Sequence, residues 1–115
     1  MSVLSRPLVE YPSVVTWAHG LKEQWGESDP FAEDPAKLDA LAAFCEFAAE
    51  EPDAIVGRCF RIRKADGERV ISAKWRNHYA EKLKDFRAQT PGFEGRRRAS
   101  AVLGFLIHNG VLIQI

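Results

Sequence analysis

The stretch "GRRRASAVLGFLIHNG", residues 95–110, decides how this chain is read. Three consecutive arginines, Arg96, Arg97 and Arg98, run into an apolar segment that stops at Asn109-Gly110. A membrane span fits poorly. The uncharged run from Ala99 to Ile115 is 17 residues long and is broken by Asn109-Gly110, whereas a spanning helix needs about 20 apolar residues. On a helical wheel at about 100° per residue, Ala99, Val102, Leu103 and Leu106 converge on one side, which predicts the core face. Arg97, Ala101, Gly104 and His108 fall opposite, a stripe cationic at one end and bare in its middle. Small residues there predict an outer face that another surface approaches closely, with Arg96 and Arg98 beside it.

Working outward, prolines and glycines divide the rest into helix-sized pieces. "PSVVTWAHGLKEQWG" spaces Val14, Trp17, Ala18, Leu21 and Trp25 as a helix, with Ser13 as its cap and Gly26 as its stop. "ESDPFAE" reads as a loop. "DPAKLDALAAFCEFAAEE" opens on Asp34 as cap with Pro35 in the first turn. Its predicted core stripe is Leu38, Leu41, Ala42, Cys45 and Ala48, flanked by Phe44 and Phe47.

A third helix starts at Pro52, with Ile55, Val56, Cys59 and Phe60 inward, Arg58 and Arg61 outward, and Arg63 and Lys64 just after. "ADGERV" is a turn centred on Asp66-Gly67, and the alternation in "RCFRIR" and "RVIS" around it is that of a short hairpin. "SAKWRNHYAEKLKDFRAQ" then stacks Trp75, Tyr79, Leu83 and Phe86 on one face, and "TPGFEG" breaks it before the last helix, Glu94 to His108. The expected fold is an all-α, compact bundle of four to five helices.

The chain has 115 residues, 46% of them hydrophobic and 28% charged, as expected for one soluble domain that buries about two-thirds of its unfolded surface. Its opening residues have no apolar core behind a basic flank, so no secretory signal is expected. Cys45 and Cys59 form no metal or redox spacing and are expected as buried thiols of a cytoplasmic protein. The net charge of zero conceals an asymmetry. Residues 1–54 hold three basic side chains against eleven acidic, about −8, and residues 55–115 hold thirteen against five, about +8. Such a second half suits a polyanion; the two halves also attract each other within one fold.

Three elements offer outward cations: Arg58, Arg61, Arg63 and Lys64 on the first, Arg76, Lys84 and Arg87 on the second, Arg96, Arg97 and Arg98 on the last. A duplex needs several phosphate contacts spread over a surface, since each adds little alone. Catalysis is not expected. His19, His78 and His108 lie in different segments, no hydrolase, phosphate-loop or metalloprotease motif occurs, and nothing local activates Ser100. No cofactor or metal is implied.

The order of patterns resembles a known module. "LAAFCEF", the start after "EEPDAI", "HYAEKLKDF" and "RRRASAVLGFLIHNGVLI" are similar to the N-terminal core-binding domain of tyrosine recombinases and phage integrases, a SAM-like helical domain. In that family the last helices follow an "R..lsal..ff.....g.l" pattern, which residues 97–112 match. The resemblance covers residues 34–115, with residues 1–33 as an added helix and loop within one structural domain. It implies binding of double-stranded DNA through outer faces of helices near residues 58–64, 74–87 and 96–108, which brings Lys74 into the candidate set beside His108 of the last helix's outer stripe. In the family a separate domain cleaves the strands, and its Arg, His and Tyr motifs do not occur in this chain. The alternative is a protein-interaction module, whose basic face binds an acidic partner or which self-associates through its acidic half or its apolar "GVLIQI". Trp75, Tyr79 and Phe86 are expected on the core side, favouring duplex phosphates over stacking on single strands.

Overall fold

Proline sets the start of three helices. α1 (Pro12–Trp25), the single turn α2 (Pro30–Glu33) and α4 (Pro52–Arg58) all begin on one, where a missing N–H breaks no intrahelical bond and φ is already helical. The computed structural model describes residues 3–26 and 29–115; Met1, Ser2, Glu27 and Ser28 lie outside the described residues, as does the side chain of Trp25, expected on the core stripe of α1. The cap of α1 is Tyr11, not Ser13. The N–H of Ser13 is instead used across the fold, donating to Asp53 Oδ1 at 3.0 Å. α2 occupies part of the segment expected as a loop, because the Asp29 carboxylate accepts from the N–H groups of Phe31 and Ala32 and so caps it.

α3 (Ala36–Ala48) buries Ala40, Leu41, Phe44 and Cys45. Its stripe is rotated from the expected one: Leu38, Ala42 and Ala48 are half-buried, and Phe44 is fully inside. The ring of Phe44 meets Phe86 edge-on at 5.2 Å, and the larger apolar surface takes the deeper place.

The expected third helix is corrected at its far end. α4 stops at Arg58, and the chain continues as an antiparallel hairpin, β1 (Phe60–Ile62) and β2 (Arg69–Ile71), with Arg61 opposite Val70. Arg61 therefore sits on a ribbon and not on a helix, with Arg63 and Lys64, expected just after the helix, in the same hairpin. Aromatic and β-branched residues at Phe60, Ile62, Val70 and Ile71 favour the pleated form. Gly67, at φ 71, closes the turn, and the N–H of Arg63 donates to Glu68 O at 2.8 Å.

α5 (Ala73–Gln89) is capped by Ser72 Oγ, which accepts from the N–H of Trp75. It buries Tyr79, Leu83 and Phe86, while Trp75 is half-buried against the core. α6 (Phe93–His108) follows after a sharp corner. A Cβ at Gly95 would overlap the carbonyl oxygens of Thr90 and Arg87, so only glycine lets the two helices meet this closely. At the other end Gly110, at φ 88, makes the left-handed reversal, while Asn109 has φ −97 and uses its side chain instead. Asn109 Nδ2 donates to Ser13 O at 3.0 Å and to Phe105 O at 2.8 Å, tying the end of α6 to the start of α1.

α6 is the centre of the molecule, packed by α1, α3 and α5, with Val102, Phe105 and Leu106 fully buried. Tyr11, Val14, Trp17 and Leu21 belong to the same core cluster, so the N-terminal segment is part of the bundle's interior. The described residues form an all-α bundle of six helices plus one two-stranded ribbon; the additional helix is the single turn α2. No described helix is long and apolar enough to cross a membrane.

Candidate nucleic-acid interface

The stripe that was expected to face outward on α6 is covered. Gly104 lies under Trp17: a Cβ placed on it would sit 3.8 Å from the Trp17 Nε1. The half-buried imidazole of His108 lies against Gly20 of α1, where a Cβ would overlap its Nδ1. Arg97 pairs with Glu94, feels the charges of Asp34 and Asp39, and shares a small cleft with Asp34 and Lys37 at the start of α3. Gly104 and His108 are thus helix-packing residues, and Arg97 serves an acidic neighbourhood within the protein.

The open face of α6 lies to one side of that stripe. At about 100° per residue Phe93, Arg96, Ser100, Leu103 and Ile107 align, and Phe93, Arg96, Ser100 and Ile107 are all exposed. Phe93 is 72% accessible and Ile107 50%. Arg98 belongs to the corner with α5. Its guanidinium donates to Thr90 Oγ1 at 2.6 Å and lies 4.5 Å from the centre of the Phe86 ring.

Arg58 is held by a network that joins α4, α5 and the link between α3 and α4. Its Nε sits 2.7 Å from Glu50 Oε2, and its guanidinium covers Trp75 at 4.9 Å. The other oxygen of Glu50 accepts from the Tyr79 hydroxyl at 2.8 Å. Burial and that hydrogen bond push the Tyr79 phenol well above its ordinary pKa, so the hydroxyl remains a donor. Arg58 Nε–Glu50 also joins the acidic half of the chain to the basic half, so part of the charge asymmetry is used internally.

Elsewhere the candidates divide into tied and free. Arg63 pairs with Asp66 and Glu68, and Lys84 with Glu81. Arg61, Lys64, Lys74, Arg76, Arg87 and Arg96 have no ion-pair partner among the described residues; Lys74 only leans over the Trp75 ring at 5.6 Å. Arg76 borders a shallow cleft that α5 makes with Leu112, Ile113 and Gln114. These six free cations come from the ribbon, from α5 and from the start of α6.

Two features were missed from sequence: the solvent-facing Ile62 of the ribbon and the exposed Phe93. For Ile62 the signal existed in the alternation flanking Asp66-Gly67. For Phe93 none did, since only the packing of α6 reveals which of its faces stays open. Among the described residues the fold assembles one histidine–acid ion pair, His19 Nε2 with Glu23 Oε1 at 3.1 Å on the solvent-facing side of α1. The cleft beside it is lined by Val9, Val14, Val15, Lys22 and Phe31, with no serine or cysteine among the described lining residues. No protein-family model, curated protein or solved structure matches the chain.

Proposed function

We propose that this chain is a helical module that grips duplex DNA, in the manner its resemblance to integrase core-binding domains implies, and supplies binding and not strand cleavage. One observation carries the reading. In residues 55–115, four of the five acidic side chains pair with only three cations (Asp66 and Glu68 with Arg63, Glu81 with Lys84, Glu94 with Arg97), while Arg61, Lys64, Lys74, Arg76, Arg87 and Arg96 have no ion-pair partner among the described residues. Cations left over on three consecutive elements suit a ladder of phosphates better than a single carboxylate. The tied cations add to this surface, because exposed ion pairs contribute little and exchange readily for phosphate.

The test is a fluorescence-anisotropy titration of random duplex DNA over a range of salt. Affinity is expected to fall with salt at a log–log slope of roughly −5, near −0.9 for each of six phosphate contacts. Binding that ignores salt, or no binding at low salt, overturns the proposal. The open face of α6 supports a second reading, a protein-interaction module, since Phe93 and Ile107 leave apolar surface exposed beside Arg96. Phe93→Ser with Ile107→Ser then abolishes association in sedimentation and leaves DNA affinity unchanged.

A further inference from the structure

We infer that the β1–β2 ribbon is the element that enters the major groove, with Ile62 as its apolar contact; this rests on the duplex-DNA reading above. An isolated two-stranded hairpin is marginal in water, and here only its base is fastened. Phe60 and Ile71 pack on the core, the Arg69 guanidinium lies 3.7 Å from the centre of the Phe60 ring, and the N–H of Ser72 donates to Cys59 O at 2.7 Å. Beyond that base, every residue from Arg61 to Arg69 is exposed.

Ile62 is the informative residue. It shares a ribbon face with Phe60, because alternate residues point the same way, but it lies past the edge of the body and is 64% accessible. The face of the ribbon that carries Phe60 therefore continues into solvent at Ile62, with Arg69 directly opposite it on β2. Around Ile62 the charges are sorted. Asp66 and Glu68 are drawn onto Arg63, and an Asp66 oxygen also accepts from the N–H of Glu68. The two acids of the turn are thereby paired with Arg63 while remaining exposed, and Arg61, just before the isoleucine, and Lys64, two residues after it, have no ion-pair partner among the described residues.

An apolar side chain flanked by free cations matches the major groove, whose walls are phosphates and whose floor presents thymine methyl groups. The size matches as well: two strands about 5 Å apart fit a groove about 12 Å wide. An acidic protein would satisfy the cations and cover Ile62 equally well; only a duplex makes that contact depend on a thymine methyl group.

The experiment compares an AT-rich duplex with the same duplex carrying uracil in place of thymine, both by anisotropy. Wild-type protein is expected to bind the thymine duplex about fourfold more tightly, the worth of one buried methyl group. Ile62→Ala should bind both duplexes alike. Arg61→Ala with Lys64→Ala should weaken both and reduce the salt slope by about two. The inference fails alone if wild type binds duplex and Arg76→Ala with Arg87→Ala weakens it, while Ile62→Ala keeps the thymine preference or none exists. It fails if polyglutamate binding is as sensitive to the ribbon substitutions as duplex binding and no thymine preference appears. Wild-type protein that binds no duplex at all removes the underlying reading and this inference together.

Discussion

A glycine on a helix face has two meanings, an open surface or a close neighbour, and Gly20, Gly95 and Gly104 all carry the second. The spacing of Arg97, Ala101, Gly104 and His108 was legible as a stripe of its own, but its partner was not, because no residue of α6 announces that α1 will return to cover it. The core side chains Val102 and Leu106 were legible, since bulk and period leave them one destination. Two substitutions separate a forbidding contact from an ordinary one. Gly95→Ala forces a methyl group onto the carbonyls of Thr90 and Arg87, so a loss of about 3 kcal/mol is expected, seen as a lower chemical-denaturation midpoint. Gly104→Ala meets only Trp17 at ordinary contact distance. It should raise stability by about 0.5–1 kcal/mol, because alanine is the better helix former. A Gly104→Ala protein less stable than wild type would show that the α1–α6 contact is tighter than described.

Among the elements, long periodic helices were readable and short ones were not. α5 and α6 came through within a residue of their ends because 17 and 16 positions carry one repeating pattern. The single turn α2 depends on Asp29 alone, too little signal to separate it from a loop. The stretch after Arg58 has helical and strand patterns superposed, and the glycine turn at Gly67 decides between them. That mattered for the site, since it moved Arg61 from a helix flank to a projecting ribbon and put Arg63 and Lys64, expected just after the helix, in the same hairpin. The junction of α1 with α6 makes a further test. Asn109→Ala removes two hydrogen bonds, to Ser13 O and Phe105 O, and should lower stability by about 1–2 kcal/mol. Amide exchange should speed up at the start of α1 as well as at the end of α6. Faster exchange at α6 alone would mean that the side chain caps its own helix and does not clamp the pair.

For the molecule as a whole, the opposed charges of the two halves were plain in the sequence, but their geometry was not, because pairs such as Arg58 with Glu50 form only when α4 turns back on the link that follows α3. Buried acids of the weak kind give the fold an alkaline limit. Desolvation raises the Cys45 thiol to about 12 and the Cys59 thiol to about 11, from an ordinary 9.0. The folded state keeps protons that the unfolded state has already released, so stability is full below about pH 9 and falls between pH 9 and 11–12. Denaturation midpoints at pH 8 and 10.5 check this, and thiol reagents should label neither cysteine until the chain unfolds. Stability that is level to pH 11 would contradict it. The central place of α6 also has a consequence in time. Asn109 and Ser13, joined in the finished protein, stand 96 positions apart, and helices made earlier have no axis to close around until α6 exists. A ribosome adding about 5–20 residues per second therefore carries a chain whose apolar faces stay uncovered for seconds. The interval in which this protein most needs protection from aggregation is the interval of its own synthesis.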